Sequence, residues 1–241
     1  MSDWTEKPMV GFDTETTKLD VESARIVTAA AVPWSDGEMT VPDTWTSDLG
    51  GAEVEADAEA IHGISTEAAR EAGRPAADVI AEIVETLRGH VLQGLPLVAM
   101  NAQFDFTILE RECERYGIRS LWAGCVPVVL DPRVLDKHVM PYRKGKRNLA
   151  ALAEFWGVKT TSPLHEAETD ARTACGIVHA IGRQYPDLAH EDLGELHEMQ
   201  ARWAREQTAS LRAYLARVGG DVDDSPFDWP FTPAWRVGGA A

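Results

Sequence analysis

Met9-Val10-Gly11-Phe12-Asp13-Thr14-Glu15-Thr16-Thr17 is an apolar run that closes on two carboxylates two residues apart. Side chains on a strand repeat with period two, so Asp13 and Glu15 are expected on one face at the strand's end. Crowded carboxylates repel each other and lose hydration, and a hard divalent cation relieves both penalties. Oxygen ligands suit Mg²⁺ or Mn²⁺. The pair points to a metal site for phosphoryl transfer. Taken alone it also fits a solvated strand end, in a chain with 39 acids among 241 residues.

Two further segments decide between these readings. Asn101-Ala102-Gln103-Phe104-Asp105 follows a second apolar run, Leu95 to Met100, and His165 precedes Asp170 by five positions where a helical pattern begins. Five residues turn about 500° along a helix, or about 140° around its axis, so His165 and Asp170 cannot share one helical face. His165 is expected on the loop after Thr160-Thr161-Ser162-Pro163, with Asp170 on the helix.

The ordered set Asp13, Glu15, Asp105, His165 and Asp170 resembles the DEDDh family of 3′→5′ exonucleases, the DnaQ-like group that includes polymerase proofreading subunits. Its first motif is matched by Phe12 to Thr17, its second by Asn101 to Asp105 and its third by His165-Glu166-Ala167-Glu168-Thr169-Asp170. Ile61-His62-Gly63-Ile64 is similar to a segment that many members carry between the first two motifs. The resemblance spans about residues 8 to 185. It implies an α/β fold, an RNase H-like mixed sheet with helices on both faces, over a domain of residues 1–185. Residues 186–241 then form a C-terminal helical extension and an aromatic tail.

The resemblance also implies roles. Asp13, Glu15, Asp105 and Asp170 would hold two divalent ions, Mg²⁺ or Mn²⁺, at the roughly 3.5–4 Å spacing of two-metal phosphoryl-transfer sites. His165 would be the general base, since imidazole titrates near working pH. Thr14, His62, Ile64, Asn101 and Phe104 are candidate substrate contacts, though Phe104 equally suits the core and Asn101 a structural hydrogen bond. Asp131 and Asp136 fall outside the pattern. The implied activity is removal of nucleoside 5′-monophosphates from single-stranded DNA or RNA 3′ ends. The alternatives are a proofreading subunit docked on a DNA polymerase or another repair or replication protein, and a noncatalytic nucleic-acid-binding module.

The formal net charge of −16 argues against tight nonspecific nucleic-acid binding, which rests on Lys and Arg neutralising phosphates. It leaves room for a nuclease whose metal ions bring their own positive charge. Arg143-Lys144-Gly145-Lys146-Arg147, the one dense basic run, reads as either a solvated loop or a phosphate contact. No apolar run approaches the roughly 20 residues of a membrane span. The first eight residues lack the features of a signal peptide, so a cytoplasmic protein is expected. Cys113, Cys125 and Cys175 are widely spaced and read as reduced, structural thiols.

Strands are expected over 8–14, 25–32, about 44–47, 97–100 and 126–131, the first three as an antiparallel meander because their connections are short. Val79, Ile80, Ile83, Val84, Leu87 and Val91 recur at helical spacing after Pro75. Further helices are expected from Phe104 to Tyr116, after Asn148 and from Ala167 to Gln184. Residues 187–218 read as one long helix or a helix pair. Phe227, Trp229, Phe231 and Trp235 form an aromatic tail that is expected to pack back on the domain.

Overall fold

The computed structural model describes residues 3–38, 40–160 and 165–234. Its strands are β1 (Met9–Thr16), β2 (Ile26–Trp34), β3 (Asp43–Thr46), β4 (Leu97–Val98) and β5 (Val129–Leu130). Its helices are α1 (Ala56–His62), α2 (Thr66–Ala72), α3 (Ala76–Leu92), α4 (Ala102–Tyr116), α5 (Pro132–Val139), α6 (Leu149–Trp156), α7 (Ala167–Gln184), α8 (Pro186–Ala189) and α9 (Leu193–Val218). The sheet order is β3-β2-β1-β4-β5. β1 to β3 pair antiparallel, as the short connections require, whereas β4 and β5 join β1 in parallel. The result is the expected mixed sheet with helices on both faces.

The period of two along β1 sorts the layers. Val10 and Phe12 are buried with α3 and α4, through Ile80, Ile83, Leu87, Phe106 and Leu109. Phe12 stacks on Phe106 with ring centroids 5.4 Å apart. Gly11 faces α7 on the opposite side, where a Cβ would lie 2.4 Å from the Ala171 carbonyl oxygen. Glycine therefore lets α7 cross β1 two residues before Asp13. Met9, Val98 and Leu130 pack with α6 and α7 through Leu152, Ile177, Val178 and Ile181.

Several boundaries differ from expectation. The strand expected over 97–100 shortens to two residues, and so does the one over 126–131, where Pro127 has no N–H to pair and Val126 is exposed. α4 starts at Ala102, before Phe104. α1, α2 and α5 were not anticipated. Their signals were present: Ser65 caps α2, and Asp131 followed by Pro132 caps and opens α5.

The extension is a helix pair, one short turn of α8 followed by α9. α9 lies along the outer edge of β5. Gln200 accepts from the Asp131 N–H at 2.8 Å and donates to the Val129 carbonyl at 3.0 Å, and His197 Nδ1 accepts from the Val129 N–H at 3.0 Å. Side chains of a helix thus satisfy a sheet edge that a sixth strand would otherwise cover. The tail packs back as expected through residue 231. Trp229 is buried in the main core, and the Phe231 ring lies 4.4 Å from that of Trp122. Trp235 lies outside the described residues.

Candidate active site

Asp13 and Glu15, both half-buried, share the α7 face of β1 near its C-terminal end. The β1–β2 register shifts between Glu15 and Thr16, a bulge of the kind that re-aims side chains at a strand end. Thr14, between them, faces the other layer. Its N–H and its hydroxyl both donate to Asp105 Oδ1, at 3.0 and 2.7 Å. Asp105 sits in the first turn of α4 and Asp170 in the first turn of α7. Four carboxylates thus reach one strand end from both faces of the sheet.

Their electrostatics are those of an unneutralised set. Burial, and then the charges of Asp105, Asp170 and Glu15, push the Asp13 carboxyl well above its ordinary range. Burial with Asp170 and Asp105 pushes Glu15 up to about 7. Burial lifts Asp105 to about 7 against the two bonds from Thr14. Asp170 is raised by burial and lowered in part by the N–H of His165. All-oxygen donors that repel one another in this way suit a hard divalent cation. The donor set, with the His165 ring at its edge, fits such an ion.

His165 precedes α7 with a left-handed φ of 76°, off the helix that carries Asp170. Its backbone N–H donates to Asp170 Oδ1 at 3.2 Å. A ring nitrogen of His165 and carboxylate oxygens of Glu15 and Asp170 lie within 4.8 Å of one another. His165 is exposed, so its ring is accessible to water.

The candidate substrate contacts fall into two groups. His62, at the end of α1, accepts from the Ile64 N–H through Nδ1 at 3.1 Å, and its Nε2 is buried. Burial pulls its pKa down, and the His165 charge acts in the same direction. Ile64 is partly buried against Val27, Leu49 and Ala69. Phe104 is partly buried against the main core. Asn101 adopts the left-handed conformation that asparagine tolerates, at the junction of β4 and α4. Its N–H reaches Asp131 at 3.3 Å and its Oδ1 accepts from Arg133 at 2.6 Å.

Asp131 and Asp136, outside the family pattern, hold structure. Asp131 is buried and accepts from the N–H groups of Ala102 and Arg133 at 3.0 and 2.8 Å, tying β5 to the start of α4. Asp136 is buried with Arg143, Arg147 and the Trp156 indole N–H, at 3.1, 2.7 and 3.0 Å. The two arginines of the basic run are therefore anchors on Asp136, while Lys144 and Lys146 are exposed. Cys113 and Cys175 are buried, and burial pushes both thiols up, so they stay protonated and inert. Among the described residues no helix is long and apolar enough to cross a membrane.

Solved structures similar to this chain include exonuclease I from Methylocaldum szegediense, with a TM-score of 0.63 at 18% identity. E. coli exonuclease I in complex with a dT13 oligonucleotide is similar with a TM-score of 0.61 at 17% identity. Another exonuclease I structure, one that suggests how processivity is achieved in that protein, gives a TM-score of 0.65 at 16% identity. These alignments cover 75–76% of this chain and 42% of each exonuclease I chain, so the chain spans less than half the length of those proteins. At such identities the likeness is one of fold. No curated protein sequence matches the chain. Residues 10–178 match the family described as Exonuclease, RNase_T. That match covers most of the chain and every residue of the acidic cluster and its histidine, so the chain belongs to this DnaQ-like exonuclease family.

Proposed function

We propose that this chain is a metal-dependent 3′→5′ exonuclease that shortens single-stranded DNA or RNA and releases nucleoside 5′-monophosphates. The observation that carries this reading is the convergence of four mutually repelling carboxylates beside one accessible imidazole. Asp13, Glu15, Asp105 and Asp170 would hold two divalent ions, Mg²⁺ or Mn²⁺, which supply charge to the attacking water and to the leaving oxygen.

The chain's own part follows from position. His165 takes the proton from the attacking water, its ring nitrogen lying within 4.8 Å of carboxylate oxygens of Glu15 and Asp170 and so beside the metal ligands. Thr14 holds Asp105 in place. His62, Ile64, Asn101 and Phe104 border the terminal nucleotide in this reading. A polymerase-docking role finds less support, since Phe227, Trp229 and Phe231 are engaged with the core.

The test is a time course on matched 5′-labelled DNA and RNA with Mg²⁺ or Mn²⁺, beside Asp13→Ala and an EDTA control. The expected result is a ladder that shrinks from the 3′ end only with metal and only with Asp13 present. Folded, metal-supplemented protein that cleaves neither strand would overturn the reading in favour of a noncatalytic module.

A further inference from the structure

A groove of about 690 Å³ runs from the start of α4 between α5 and the distal half of α9. In a chain with a net charge of −16 its lining has the opposite character. Arg133, Lys137 and Arg217 line it beside Arg147, whose charge is already paired with Asp136, and Asp131, already bonded to backbone N–H groups, is the one acid among the described lining residues. The α9 wall carries Leu211 and Tyr214, which are 49% and 52% exposed. The Arg217 guanidinium lies 5.5 Å from the Tyr214 ring centroid. Two large apolar side chains of α9 are thus left about half exposed in a groove lined by cations.

The inner end of the groove lies at the start of α4, the helix that bears Asp105. Asn101 and Gln103 line it, and Asp105 follows one turn along α4. Arg133 donates to Asn101 at that end, whereas Arg217 lies near the C-terminal end of α9. From Ala204 to Arg217 the α9 wall is about 20 Å long, enough for several nucleotides at about 3.4 Å each when stacked.

We propose that this groove is the track for the single strand on the 5′ side of the nucleotide being removed, with phosphates on Lys137 and Arg217 and a base stacked on Tyr214. Alternating cations and an exposed ring are what a sequence-tolerant single-strand track requires. The track rests on the exonuclease reading and adds to it a length dependence. It also offers an acidic protein a place for a polyanionic substrate, because cations outnumber acids in the lining of the groove.

The test is fluorescence anisotropy with a 5′-labelled oligothymidylate of about twelve nucleotides, over a range of KCl concentrations. The Asp13→Asn background keeps the strand intact. Lys137→Gln with Arg217→Gln should make the slope of log affinity against log salt shallower by about 1.4, at about 0.7 per lost phosphate contact. Tyr214→Ala should weaken binding about tenfold and leave the slope unchanged. Lys137→Arg with Arg217→Lys should restore the parental slope, which a merely structural role would not require.

With Asp13 intact, kcat/KM on the long strand is compared with that on a small aryl ester of thymidine 5′-monophosphate, and the ratio should fall in the glutamine variants. Parental binding and slope in the glutamine and alanine variants would overturn the track, as would a parent that does not bind the strand. Binding with the expected slopes but no hydrolysis of either substrate would uphold the track and overturn the exonuclease reading.

Discussion

Thr14 directs both its backbone N–H and its hydroxyl at one oxygen of Asp105, at 3.0 and 2.7 Å. The strand that carries Asp13 and Glu15 on one face therefore orients the carboxylate that arrives from the other. A partner that orients a metal ligand typically contributes ten- to hundredfold in metal affinity or activity. Thr14→Val keeps the volume and the backbone bond but removes the hydroxyl. Calorimetric titration with Mn²⁺ should show affinity lower by about tenfold, with an unchanged far-UV spectrum, and Thr14→Ser should recover most of it. Equal affinity in the valine variant would mean that the backbone bond alone sets Asp105.

Gly11 and Gly89 make a controlled pair. A Cβ on Gly11 would meet the Ala171 carbonyl oxygen at 2.4 Å and Cys175 Sγ at 3.0 Å, whereas one on Gly89 meets nothing within 4 Å. Gly11→Ala should force α7 away from β1, lowering stability by about 1–3 kcal/mol and displacing Asp170. Gly89→Ala, in the interior of α3, should stabilise by about 0.5–1 kcal/mol. Urea unfolding checks both. A neutral Gly11→Ala variant with full activity would show that α7 is not seated by this contact.

Repulsion among the carboxylates links proton, metal and stability. Folding raises the pKa of Glu15 and Asp105 to about 7 and lifts Asp13 and Asp170 as well. A group raised on folding gives its full contribution below its unfolded pKa and loses it as pH rises through the folded one. The metal-free protein should therefore lose thermal stability from the ordinary carboxylate range up to about pH 7. Mg²⁺ or Mn²⁺ should raise Tm more at pH 8 than at pH 5.5, because protons compete with the metal. Asp13→Asn should raise the metal-free Tm at pH 8 and blunt the metal response. A metal-induced Tm shift that is flat with pH would contradict this linkage.

The sequence carried the site's ligands more clearly than its surroundings. Period two along β1 was enough to put Asp13 and Glu15 together, and the five-residue offset was enough to separate His165 from α7. Two helices end at glycines in the left-handed conformation, Gly117 and Gly157, a stop that local chemistry alone accounts for. The roles of Asp131 and Asp136 were hidden because they depend on partners far along the chain, Gln200 and Trp156 among them. Arg143 and Arg147 looked free for the same reason. Burial of an ion pair is a tertiary fact, and a basic run in sequence does not reveal which of its members are already paired. The short α1 and α2 lack the long apolar period that reveals α3, and only their capping residues mark them.

Gln200 tests how far the extension is part of the fold. It is fully buried, and its amide serves the Asp131 N–H and the Val129 carbonyl along the edge of β5. Asp131 in turn receives the N–H of Ala102 at the start of the helix bearing Asp105. Gln200→Leu fills similar space but leaves two backbone groups without partners, at about 1–3 kcal/mol each. The urea midpoint should fall with an unchanged m-value, and activity should fall with it as α4 loses its anchor. His197→Ala removes the acceptor for the Val129 N–H, at about 1–3 kcal/mol, together with the ring packed 5.0 Å from that of Trp229. If both variants kept parental stability, α9 would be a detachable appendage, and the boundary near residue 185 would divide independent units. A large loss would instead make α9 the covering of the sheet edge, without which the acidic site cannot be held together.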